Sequence, residues 1–289
     1  PLTFIFIINF RLQTKMAATS NFIMLYESFA ATLLFTFMLV LPTGLGWMNA
    51  VHTEDGIEYY AERPIPLVAR LLPWLHLPLN TVVNIPYALV GLVWLKSIQL
   101  MLNNKRIKNT DAVMFFVFSW SAFIYAHIQL GRILTQDKSM AILDQWITLP
   151  IFAWVLAWTL HVLYGYSSIR NLVIITLSSL SYCLALWSPY GFEVVLGAHI
   201  LSATICGIVL YLRYPNTSNA RIFWIIVALC GGFCFLKLLD LELPKYHSIF
   251  TICSGHFLSK ICDFLQIHYV AKYFLHVTLQ QNTGKLKTR

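Results

Sequence analysis

Residues 141–164 read AILDQWITLPIFAWVLAWTLHVLY, an apolar run with a single carboxylate, Asp144, near its start and one histidine, His161, near its end. A helix rises about 1.5 Å per residue, so this run is long enough to cross the roughly 30 Å hydrocarbon core of a bilayer. The same pattern extends in both directions. Apolar segments stand at 112–134, 79–101 and 21–44 upstream, and at 171–188, 192–213, 220–241 and 247–277 downstream. Ser-Pro-Tyr-Gly at 188–191 reads as a tight turn between two of them. The last is long and interrupted by Lys260 and Asp263, so it is expected to tilt or to extend past the membrane.

Composition agrees with this reading. The chain has 289 residues, of which 58% are hydrophobic and 11% charged. Soluble domains carry about 25% charged residues, so a water-soluble core of this size lacks its charged shell. The expected fold class is therefore all-α, a polytopic membrane helix bundle of eight spans. Residues 16–289 form a single transmembrane domain. Met16 opens an ordinary start, and residues 1–15 read as an upstream extension with no role in the fold.

All six cysteines fall inside apolar runs, so no disulfide framework is implied. Cys230 and Cys234 read as small buried hydrophobes. The net charge of +8 would suggest nucleic acid only if the basic residues formed a stripe. They sit at span ends instead, where topology and lipid headgroups account for them, and no nucleic-acid partner is expected. With eight spans, Lys105, Arg106, Lys108, Arg170, Arg213, Arg221, Lys285, Lys287 and Arg289 alternate onto the side of the N-terminus. The positive-inside rule makes that side, and both termini, cytoplasmic. The 45–78 connection, with Glu54, Asp55, Glu58 and Glu62, is then lumenal. The sequon Asn216-Thr217-Ser218 lies on the cytoplasmic side and should stay unmodified.

Ionisable groups inside a bilayer cost roughly 2.5–3.5 kcal/mol each on insertion scales, so each asks for a partner or a purpose. On this topology Asn80, Asn84, His127, Asp144, Glu193, Asp240 and His256 all fall in the lumenal half, where groups from six helices can meet in one polar pocket. Taken singly, His127, Glu193 and Asp240 read as interfacial, and Asn80 and Asn84 as hydrogen-bonding neighbours of adjacent helices. His256, Lys260 and Asp263 stand at i, i+4 and i+7 and share one helical face. Lys260 has Asp144 and Asp263 as possible counter-charges. No G-x-S-x-G, Walker loop, H-E-x-x-H or C-x-x-C pair is present.

The strings EYYAE (58–62), NTVVN (80–84), ILDQWITLP (142–150), GFEVVLGAH (191–199) and GHFLSKICD (255–263) resemble the transmembrane protein 187 family. That resemblance implies a multi-pass protein of Golgi and trans-Golgi membranes, with no chemistry assigned. A more distant resemblance links spans two to eight to the seven-helix alkaline ceramidase and adiponectin-receptor superfamily of metal-dependent membrane hydrolases. NTVVN is similar to the N-T-V-S-N string that opens the first core helix there. Leu143 to Pro150 is similar to an L-D-E-L-P string, Leu236 to Asp240 to W-N-x-D, and His256 to Lys260 to H-x-x-x-H.

This resemblance implies a seven-helix core plus one N-terminal helix. It also implies zinc on three histidines, with an Asp and a Ser supporting attack of water. Asp144 and His256 match. Lys260 replaces the second histidine, and Tyr125 stands four residues after Ser121 where a histidine is required. The pocket set is Asn80, Asn84, Asp144, His199, Asp240, His256, Lys260 and Asp263. The expected function is a non-catalytic endomembrane protein with a lumenal-side polar pocket, a membrane lipid as partner and no cofactor. The alternative is a metal-dependent amide or ester hydrolase of a membrane lipid, with zinc on His256, His199 and His268 and with Asp144 and Ser121 in catalysis.

Overall fold

The protein's structure, a computed structural model, describes residues 2–54 and 56–287, with side chains for 21–54 and 56–282. Residues 1–15, expected to take no part in the fold, lie outside the described side chains. Among the described residues there is no strand.

Among the described residues eight long helices make up the bundle, with short helical turns in the connections. Helix α1 is Leu2–Gly44, with Asn21–Gly44 as its apolar part. Helix α2, Pro78–Asn103, starts with a proline in its first turn, where the missing N–H costs nothing. Helix α3 is Asn109–Thr135 and α4 is Lys138–Tyr164. Asp137 caps α4 by accepting from the N–H groups of Ser139 and Met140, and Gly165 at φ 88° ends it. Helix α5, Ser168–Leu186, tightens to 3₁₀ over Tyr182–Leu186. Helix α6 is Gly191–Arg213, α7 is Thr217–Leu238 and α8 is Gly255–Lys287.

Seven of these, α1 to α7, are long and apolar enough to cross a membrane. They place the first seven expected segments within a few residues of their boundaries. Helix α8 carries Lys260, Asp263 and Lys272 and does not match that apolar pattern. It nevertheless runs antiparallel to α7 over its length. At its start the His256 N–H donates to Asp240 just beyond α7. Toward its far end, Gln281 donates to the Tyr214 hydroxyl and to the Val162 carbonyl.

Packing closes α2, α3, α4, α6, α7 and α8 into a ring, with α1 laid outside on α3 and α4 and α5 outside on α4 and α6. The tightest neighbours are α2 with α3 and α7 with α8, and the loosest junction of the ring is α6 with α7. Gly91 of α2 explains one close approach: a Cβ there would sit 2.7 Å from the Ser119 carbonyl oxygen of α3. Aromatic rings fill the centre. Trp158 stacks on Phe274 at 4.2 Å and meets the edge of Phe115 at 4.5 Å. The outer surface keeps large apolar side chains such as Leu172, Leu201, Leu212, Trp224 and Leu238 more than half exposed, a surface suited to lipid rather than water.

The 45–77 connection folds over the end where α2, α4, α6 and α8 begin. Met48, Val51, Tyr60 and Leu77 bury against the bundle. Lys138 donates to the Asn49 carbonyl at 2.9 Å, and the Arg63 N–H donates to the Thr251 carbonyl at 2.8 Å. This strap makes one end of the ring a closed cap.

Candidate functional site

Two carboxylates fasten the strap. Glu62 accepts from the backbone N–H of Leu79 (2.6 Å) and of Asn80 (3.0 Å) and from Asn80 Nδ2 (2.6 Å), which satisfies the first turn of α2. Asp240 accepts from the N–H groups of Ala61 (3.0 Å) and His256 (2.8 Å), joining the strap to the start of α8. Burial pushes both carboxyls above the ordinary carboxylate range, against the lowering effect of those N–H donors. The Tyr60 ring lies edge-on to His256 at 4.6 Å and lids the space beneath.

That space is a polar chamber bounded by side chains of α2, α3, α4, α6, α7 and α8. Arg132 Nη1 donates to Asp144 Oδ2 at 2.6 Å while Nη2 holds the Glu54 carbonyl of the strap at 2.9 Å. Lys260 donates to Gln129 Oε1. The Tyr87 hydroxyl donates to Asp263 at 2.7 Å, and Thr148 donates to the Tyr125 hydroxyl at 3.1 Å. The second oxygen of Asp144 is buried without a partner. Lys237 and the His256 ring also line the chamber, and among the described residues neither side chain makes an ion pair or hydrogen bond. About 30 Å³ is open to the centres of water-sized spheres. A water needs about 10–15 Å³ on that measure, so the chamber has room for roughly two.

Deeper in the bundle lies an apolar cavity of about 90 Å³ on the same measure, walled by side chains such as Phe118, Phe152, Ile200, Phe223, Ile226 and Ile267. Tyr125, Thr148 and Asp263 belong to both walls, so the polar chamber and the apolar cavity adjoin. The cavity runs beneath the loose α6–α7 junction.

The sequence-predicted residues divide between places. Asp144, His256, Lys260 and Asp263 surround the chamber. Asn80, Asn84 and Asp240 do not line it: Asn80 Nδ2 donates to Glu62 and Ser254, Asp240 accepts from the Ala61 and His256 N–H groups, and Asn84 Nδ2 donates to the Asn80 and Thr81 carbonyls, closing its own helix turn. His199 is turned to α5, where it meets the Ser178 hydroxyl at 2.9 Å and the Val195 carbonyl at 2.8 Å. His268 packs on Trp94 of α2 at 5.6 Å. Ser121 lines a separate groove between α1, α3, α4 and α5, and so shares no cavity with Asp144. The pairing expected of Lys260 is also different. Arg132 takes Asp144, Tyr87 takes Asp263, and Lys260 is left to the neutral Gln129.

Zinc catalysis needs three protein ligands and an open fourth position. Among the described residues no three His, Cys, Asp or Glu side chains gather closely enough to hold a metal ion. With an ammonium at 260, and His199 and His268 directed elsewhere, the donor set does not fit the metal the superfamily resemblance implies. Sequence reasoning missed Arg132, Gln129, Tyr87, Tyr60 and Glu62. Gln129 and Arg132 stand at i and i+3 at the end of span three, so an arginine on the acidic side of the topology was the available signal.

The TMEM187 protein family model matches residues 28–275. The chain is 39% identical to human (Homo sapiens) transmembrane protein 187 over 232 residues, 80% of this chain and 85% of that protein. It is 38% identical to the Bos taurus protein over 241 residues, 83% and 91% of the two chains. No solved structure matches it. The family model runs from within α1 into α8, and both relatives match over most of their length: the chain is a multi-pass membrane protein of the transmembrane protein 187 family.

Proposed function

We propose that this chain is a non-catalytic endomembrane relative of the seven-helix lipid hydrolases that holds one membrane amphiphile in its ring. The observation that carries the reading is the adjoining of two unlike spaces through Tyr125, Thr148 and Asp263. A polar chamber next to an apolar cavity suits a molecule with a polar end and a hydrocarbon chain, which gains about 0.8 kcal/mol for each CH₂ it buries. Lateral entry is supported by the loose α6–α7 junction, which faces lipid. The lack of a fitting metal-donor set among the described residues supports binding over hydrolysis. A hydrolase reading keeps one point in its favour, Asp144 and His256 in one chamber.

In this reading α8 is the eighth crossing, since it traverses the same thickness as α7. Both termini are then cytoplasmic and the strap is lumenal, in Golgi or trans-Golgi membranes as the family resemblance implies.

The test is native mass spectrometry of protein purified in mild detergent, with metal analysis of the same sample. One retained lipid per chain is expected, displaced by Ala203→Phe, which fills the cavity from α6. Folded protein that retains no lipid sinks the proposal. Stoichiometric zinc that disappears in His256→Ala would instead restore the hydrolase.

A further inference from the structure

We infer that the amphiphile carries an anionic headgroup, a carboxylate or a phosphate monoester, seated between Lys237 and Lys260; this rests on the lipid-holding reading above. The argument begins with charge. In their ordinary charge states the chamber holds three cations, Arg132, Lys237 and Lys260, against two carboxylates, Asp144 and Asp263. Arg132 and Asp144 satisfy each other at 2.6 Å. Asp263 is already engaged by the Tyr87 hydroxyl, and Lys260 by the neutral oxygen of Gln129. Lys237 has no counter-ion among the described residues. The nearby carboxylates do not supply one. Glu54 and Glu193 act on Lys237 through space but, exposed, form no ion pair with it, and Glu62 and Asp240 are occupied by backbone N–H donors.

A surplus cation in a water-poor space is unfavourable unless something neutralises it. The chamber can admit a group about the size of two waters, and no carboxylate among the described residues pairs with Lys237. An anion entering there would accept from Lys237 and Lys260 while its chain passes Tyr125, Thr148 and Asp263 into the apolar cavity. His256, directly under Tyr60, closes the lumen-facing side of the seat. A neutral headgroup would leave Lys237 uncompensated, and a cationic one would add to the repulsion.

The experiment uses the full chain, delipidated in detergent, titrated with oleate, oleoyl-lysophosphatidate, 1-oleoylglycerol or oleylamine, with bound mass and melting temperature as readouts. The two anions should bind at least tenfold more tightly than 1-oleoylglycerol, and oleylamine should bind least; which anion is preferred identifies the headgroup source. Lys237→Met should reduce anion affinity at least tenfold while leaving the ligand-free melting temperature unchanged or higher, because it removes the surplus charge. Lys237→Arg should restore binding. Equal binding of the neutral and anionic amphiphiles, unaffected by Lys237→Met, overturns the anionic assignment and leaves the lipid-holding reading intact. Binding of none of the four by folded protein removes both.

Discussion

At the scale of single residues, the chamber depends on Arg132 and Asp144. Both side chains are about nine-tenths buried, and they meet at 2.6 Å. Removing one partner of a buried pair leaves an uncompensated charge and costs about 3–5 kcal/mol, whereas replacing both with apolar residues is often neutral. Arg132→Met and Asp144→Leu should each lower the melting temperature in detergent strongly, and the double variant should recover most of the loss. Additive losses would show that the two do not act as a pair. Asp144, His256, Lys260 and Asp263 were legible in the sequence because a charge inside a long apolar run is conspicuous. Arg132 was not. It stands at the last turn of span three, where a basic residue reads as an end marker, and only the fold shows that it turns inward. The partner of Lys260 was illegible for a related reason: Gln129 is neutral and raises no alarm in a hydropathy reading.

Among elements, the strap and the helix starts it caps decide how the site is closed. Glu62 ties the strap to α2 through three N–H groups, and loss of a capping side chain costs about 0.5–2 kcal/mol. Glu62→Ala should therefore lower the melting temperature and raise proteolysis within the strap; an unchanged cleavage pattern would count against its fastening role. Its pH behaviour has a definite sign. The folded-state carboxyl is raised above its unfolded value of about 4, chiefly by burial. Its contribution to stability is then fully present below the unfolded value and is lost as pH rises through the raised one. Glu62→Gln, which cannot ionise, should flatten that part of the stability profile between acidic and neutral pH. The same slope in both proteins would assign the effect to other groups. Between α2 and α3 the control is steric. A Cβ at Gly91 meets the Ser119 carbonyl at 2.7 Å, whereas a Cβ at Gly197 meets nothing within 4 Å. Gly91→Ala should cost about 1–3 kcal/mol by overpacking and Gly197→Ala close to nothing, as read by melting temperature.

For the whole molecule, seven apolar helices were readable from length and hydropathy because lipid demands that every backbone group be bonded within a segment. The path of α8 was harder to read. Its inner face carries Lys260 and Asp263 for the chamber, so its composition departs from that of a lipid-facing span although it lies along α7 from one end to the other. The number of crossings fixes which side each loop occupies, and glycosylation reads that directly. With eight crossings Asn216 faces the cytoplasm, where its side chain already caps α7 by accepting from the Ser218 N–H at 2.9 Å. It should remain unmodified in cells. A sequon placed in the exposed turn of the strap by Ile57→Asn with Tyr59→Thr lies well away from the ends of α1 and α2 and leaves the buried Tyr60 in place. That variant should gain one endoglycosidase-sensitive glycan. Modification at Asn216 with none at position 57 would invert the bundle, put the basic loops in the lumen and turn the chamber toward the cytoplasm. The anionic seat, which stands at the strap end with Lys237 and His256, would then face the opposite leaflet.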